Sequence, residues 1–128
     1  MLKEMDLPVS EEYINEIVDE LKEEIDLINN SHLDTDLFAL IMDAKEIKLK
    51  LKSHIESFCL FILIGISLEG KKRIIGCEVY QGKENLSKWK EVLKKLLNRG
   101  LRRVLIVVHD DFPGLKNLTA SFFPETDI

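Results

Sequence analysis

A chain of 128 residues is one domain's worth, and 45% apolar with 32% charged residues is the composition of a folded globular protein rather than a disordered segment. The formal net charge of −5 excludes a module whose nucleic-acid affinity rests on a bulk excess of Lys and Arg. The opening MLKEMDLPVS has no apolar stretch, so no signal peptide is expected. The longest apolar run, Phe58 to Ile66, is far shorter than the roughly 20 residues a membrane helix needs. A cytoplasmic protein without membrane contact is therefore expected.

From Glu11 to about Asn29 the apolar residues Ile14, Ile17, Val18, Leu21, Ile25 and Ile28 fall on one face of a helix. Ser10 suits its N-cap, and Glu11 and Glu12 suit the positive end of its dipole. Leu37 to Asp43 is a continuous apolar run closed by a carboxylate, which predicts a buried strand. Glu46 to Lys52 then alternates, with Ile47, Leu49 and Leu51 against Lys48, Lys50 and Lys52. That pattern fits a separate half-exposed strand, or a continuation of the first beyond a bend.

Ser57 to Leu68 and Arg73 to Gln81 are strand-like and flank the turn signal Glu69-Gly70-Lys71-Lys72, which predicts an antiparallel hairpin. In a simple register Cys59 and Cys77 are not opposite each other, so both read as reduced, packed thiols. With the scattered His32, His54 and His109 they form no zinc set. Asn85 to Asn98 predicts a second helix, with Leu86, Trp89, Val92, Leu93, Leu96 and Leu97 on its apolar face and Gly100 as a left-handed stop. Leu101 to His109 is a further buried strand, ending at Asp110-Asp111. Pro113-Gly114 is a turn, and Leu115 to Phe123 a short helix before Pro124. The order points to a mixed α/β domain with helices packed on a sheet. No Gly-rich phosphate loop supports a small-ligand module.

Two residues carry candidate chemistry. Asp43 closes the first apolar strand and Asp110 the strand after the second helix. Side by side at one end of a sheet, the two carboxylates could hold Mg²⁺, which takes few protein carboxylates and fills its shell with water and phosphate oxygens. Two such ions can activate water and stabilise a leaving oxygen in phosphodiester cleavage. The other reading is that each Asp caps the turn that follows it. Lys48, Lys50 and Lys52 fit either a solvated strand face or a track for a phosphate backbone. His109 fits either a polar strand end or a phosphate contact. Trp89, on the apolar face of its helix, reads as core.

Five segments in order carry a resemblance: the helix from Val9-Ser10 onward; Asp43-Ala44 followed by Lys48 and Lys50; Gly82-Lys83-Glu84-Asn85; Trp89 with Arg99-Gly100-Leu101; and Asp110-Asp111-Phe112-Pro113-Gly114-Leu115. Together they resemble the catalytic region of mutator-type DDE transposases of insertion sequences, although that family more often has Arg at the second basic position. The resemblance implies an RNase H-like mixed α/β sheet with flanking helices and a three-carboxylate site binding Mg²⁺ or Mn²⁺. Asp43 would be the first carboxylate and Asp110 the second, both metal ligands, with Asp111 a neighbour. It also implies cleavage and strand transfer on transposon-end DNA by full-length relatives. The family's third carboxylate, a Glu on a late helix, has no counterpart here, since Glu125 and Asp127 lie too close behind the Asp110 loop. By this resemblance residues 1–36 form an N-terminal helix packing on the core. Residues 37–128 form a partial catalytic domain, truncated before its last elements and inactive alone. The alternative is a non-enzymatic α/β interaction module derived from a transposase, which buries an exposed sheet edge or face in a homodimer.

Overall fold

The structure, a computed structural model, describes residues 11–50 and 53–124, with side chains from residue 19 onward. Its elements are α1 (Glu11–Asn30), β1 (Asp36–Lys50), β2 (Ile55–Ile66), β3 (Lys72–Gln81), α2 (Leu86–Asn98), β4 (Arg103–His109) and α3 (Leu115–Phe122). The mixed α/β architecture is the one the sequence predicts. Ser10, Lys52, Glu125 and Asp127 lie outside the described residues.

The four strands form one sheet in the order β3-β2-β1-β4. β1, β2 and β3 make an antiparallel meander, and β4 joins the outer side of β1 in parallel. The β2–β3 turn closes on Gly70, at φ 89°, with its N–H on Ser67 O at 2.9 Å. A parallel partner cannot follow through a tight turn, so the chain must cross over the sheet. α2 makes that crossing from the β3 edge to the β4 edge. Asn85 caps it by accepting the Lys88 N–H at 2.9 Å, and Gly100, at φ 114°, stops it.

The crossing helix buries Trp89, Val92, Leu93 and Leu96 on one face of the sheet. β2 shows the alternation this requires: Cys59, Phe61 and Leu63 are buried, while Phe58, Leu60, Ile62 and Ile64 between them are only half-buried. Trp89 stacks edge-on against Phe61 with centroids 4.8 Å apart, and its Nε1–H donates to Glu84 Oε2 at 2.8 Å. On the opposite face Ile74, Val79 and Val108 remain about half exposed, at 50%, 48% and 50%. Both thiols are free, and the observed register sets Cys59 against Tyr80 and Cys77 against Ile62.

One strand boundary differs from expectation. Asp43 does not end a strand. β1 is a single strand of 15 residues, and Asp43 lies inside it. The ladder to β2 runs without interruption from Ala39↔Ile66 to Lys50↔Ile55. Backbone pairing thus carries the strand past the point where the apolar run stops, and the alternating Lys segment is its continuation.

Candidate active site

The parallel ladder between β1 and β4 ends at the pair Met42↔His109. Asp43 and Asp110 are the next residue on each strand. The sheet therefore brings the two sequence-predicted carboxylates to neighbouring positions, Asp43 inside β1 and Asp110 just past the end of β4. Leu40 and Met42 face the helix-covered core, so alternation turns Asp43 to the other, open face, beside its cross-strand partner Ile62.

The surroundings of the two residues differ. Asp43 is half-buried in a sheet interior, and its Oδ2 lies 3.3 Å from Nζ of Lys45, two residues along on the same face. Asp110 is exposed and lies just beyond the strand. His109 Nδ1 is 2.7 Å from the Asp110 carbonyl oxygen. A carbonyl only accepts, so this nitrogen carries the proton and donates. Asp111 is exposed as well.

Turn capping does not account for these carboxylates. No turn follows Asp43. After Asp110 the chain bends through Phe112, whose carbonyl accepts the Leu115 N–H at 3.0 Å, and α3 starts from Gly114 at φ 82° with no side-chain cap. A Cβ on Gly114 would meet Leu86 Cδ2 at 2.9 Å, so this glycine also allows the Asp110 loop to pack against the start of α2.

Among the described residues no group of three His, Cys, Asp or Glu is gathered to enclose a metal. Two oxygen donors suit a hard ion that keeps water and takes phosphate oxygens, and they do not suit a closed structural site.

Two residues gain roles that periodicity did not reveal. Arg99 follows α2 and reads in sequence as part of a helix stop. Its guanidinium is part-buried and donates to Ile28 O at 2.6 Å, Ser31 O at 2.9 Å, Ser31 Oγ at 2.9 Å and Ile75 O at 2.6 Å. It thereby ties the end of α1 to β3 and α2. Burial, with the nearby Arg73 charge, pushes its pKa down. Asn29 reads as a helix terminator, yet its side-chain amide both donates to Cys77 O at 2.9 Å and accepts the Cys77 N–H at 3.0 Å. That is the pairing a further strand would offer to the β3 edge. In the sequence Arg99 is marked out only within the Trp89 and Arg99-Gly100-Leu101 segment of the resemblance.

Against known proteins, the pattern of the family described as "Transposase, Mutator family" matches residues 1–128. The transposase for insertion sequence element IS406 of Burkholderia multivorans is 35% identical over 85 residues, covering 66% of this chain and 22% of the relative. The transposase for insertion sequence element IS905 of Lactococcus lactis subsp. lactis is 29% identical over 111 residues, covering 87% of this chain and 28% of the relative. The transposase for insertion sequence element ISRM5 of Rhizobium meliloti is 36% identical over 86 residues, covering 67% of this chain and 21% of the relative. The chain thus spans less than a third of each of these relatives.

Proposed function

The chain belongs to the Mutator family of transposases, and from that premise we propose that it is the front part of an RNase H-like catalytic domain, with Asp43 and Asp110 as two of its metal-binding carboxylates. The observation that carries this is the parallel pairing of β1 with β4, which ends one residue short of both aspartates. The meander of three antiparallel strands with a fourth, parallel strand on the outer side of β1 supports the fold reading.

Asp43 and Asp110 would hold Mg²⁺ or Mn²⁺ through carboxylate oxygens. When bound, the ion supplies Lewis-acid stabilisation of phosphate oxygens and a more acidic water for cleavage of the phosphodiester of transposon-end DNA. The chain's own part is to fix Asp43 within β1 and to place Asp110 directly after the end of β4. Lys45 balances the Asp43 charge at 3.3 Å and yields that carboxylate to an incoming cation. Strand transfer needs a third carboxylate in the three-carboxylate scheme. None of the described residues supplies it, so cleavage by these 128 residues alone is not expected.

Mn²⁺ titration followed by electron paramagnetic resonance tests the site. The chain should bind Mn²⁺, and Asp43→Asn or Asp110→Asn should each weaken binding by about tenfold or more, because a second donor carboxylate is lost. Unchanged Mn²⁺ affinity in both variants would sink the assignment. Mg²⁺-dependent cutting of transposon-end DNA by the isolated chain would overturn the expected inactivity.

A further inference from the structure

Past the carboxylates, β1 and β2 leave the rest of the sheet behind. β4 accompanies β1 only to Met42, and β3 accompanies β2 only from Phe58 onward, yet β1 and β2 stay paired out to Lys50↔Ile55. Residues Lys48–Lys50 and Ile55–Ser57 therefore form a two-stranded ribbon, and it projects from the end of the sheet where Asp43 and Asp110 stand.

The charge on this ribbon is not balanced within it. Lys48 and Lys50 are exposed, share one face with Ser57 and Ile55, and have no ion-pair partner among the described residues. The ribbon's own carboxylate is engaged: Glu56 Oε1 is 2.7 Å from His54 Nε2, and its Oε2 accepts from Gln81 Nε2 at 2.7 Å. Glu46, at the root of the same face, is the nearest other acid along β1. A chain with a net charge of −5 thus presents two unpaired ammonium groups on a protruding arm beside its candidate site.

We propose that this ribbon is a contact surface for the phosphate backbone of duplex DNA, holding the duplex on one flank of the phosphodiester at the Asp43–Asp110 end. The proposal rests on the transposase reading above and deepens it by naming a DNA-positioning surface. At about 3.3 Å per residue, Lys48 and Lys50 stand roughly 17 and 23 Å along the strand from Asp43. At about 3.4 Å per base pair that spans roughly five to seven base pairs of duplex. A two-stranded ribbon is narrow enough to lie along a duplex groove. Lys48 and Lys50 are exposed on the face of β1 opposite Asp43, along the outer edge of β1 that β4 does not cover beyond Met42. Such contacts position DNA without reading its sequence.

The test is a fluorescence-anisotropy titration of a labelled mixed-sequence duplex at several low salt concentrations. The full chain is compared with Lys48→Glu/Lys50→Glu and with the control Lys90→Glu/Lys94→Glu, which makes the same charge change on exposed positions of α2. The ribbon variant should bind about tenfold more weakly, and its slope of log affinity against log salt should be smaller by about 1.8, for two phosphates at about 0.9 each. The control should match the parent in slope. Lys48→Gln/Lys50→Gln should reproduce the smaller slope, which keeps the test valid if the Glu variant misfolds. Equal losses in the ribbon variant and the control, or no duplex binding by the parent chain at low salt, would overturn the proposal. Mn²⁺ affinity is read on the same proteins. A ribbon variant with normal Mn²⁺ binding and normal DNA binding refutes the ribbon alone. Loss of the Asp43 and Asp110 metal effect refutes the site reading alone.

Discussion

The two sides of the sheet are finished in opposite ways. At the β3 edge, backbone groups that would face outward are answered by side chains: Asn29 takes both the N–H and the carbonyl of Cys77, and Arg99 takes the carbonyl of Ile75 while holding the end of α1. At the β1–β4 end, Asp43 lies on the open face with Lys45 Nζ 3.3 Å from its Oδ2, and Asp110 is exposed just beyond β4. The closed edge concentrates polar groups where each is satisfied, which stabilises. The open end should return little stability, the pattern expected of a site that serves something other than the fold.

The comparison breaks most visibly at Arg99. Arg99→Met leaves three carbonyls of Ile28, Ser31 and Ile75 without their charged donor, and should cost about 3 kcal/mol in urea unfolding. Arg99→Lys should recover only part of this, since an ammonium cannot match the planar fork. A loss under about 0.5 kcal/mol, the range of ordinary surface substitutions, would mean the closed edge is not held this way. Asn29→Leu comes next, at about 1 to 2 kcal/mol for two bonds to the Cys77 backbone. Loss of this edge block should also raise the tendency to associate, readable by light scattering.

At the open end the expected stability effect is smaller. Asp43→Asn and Asp110→Asn should each change unfolding free energy by no more than about 0.5 kcal/mol, while weakening Mn²⁺ binding by about tenfold or more. A destabilisation as large as that of Arg99→Met would make the aspartates structural and erase the contrast. The thiols affect stability only at alkaline pH. Burial, and then the charges of Glu84 and Glu46, push Cys59 from its usual 9.0 up to about 11. The unfolded thiol therefore ionises first, and this contribution to stability is present below pH 9 and is lost as pH rises toward 11. In alkylation of the native chain Cys77, which is only half-buried, should react before Cys59.

Much of the fold was legible because each element advertises its own period. The 3.6-residue spacing of Leu86 through Leu97 marked α2, and Gly100 marked its end. The turn at Gly70 marked the hairpin. Trp89 read correctly as core. What failed was the end of β1, since an apolar run measures burial while a strand is held by backbone pairing, and β2 continues that pairing to Lys50. The roles of Asn29 and Arg99 were hidden for a related reason: their partners lie 48 and up to 71 residues away in the chain.

The sequence by itself determined the elements, their order, the buried faces and the identity of the two candidate carboxylates, because period, turn chemistry and residue type are local properties. Only the tertiary structure decided that Asp43 and Asp110 are neighbours, that the Lys48–Lys50 segment projects beside them, and that one sheet edge is closed by Asn29 and Arg99. Each of those depends on strand order and register, which are chosen by long-range pairing across the crossover of α2 and written in no single segment.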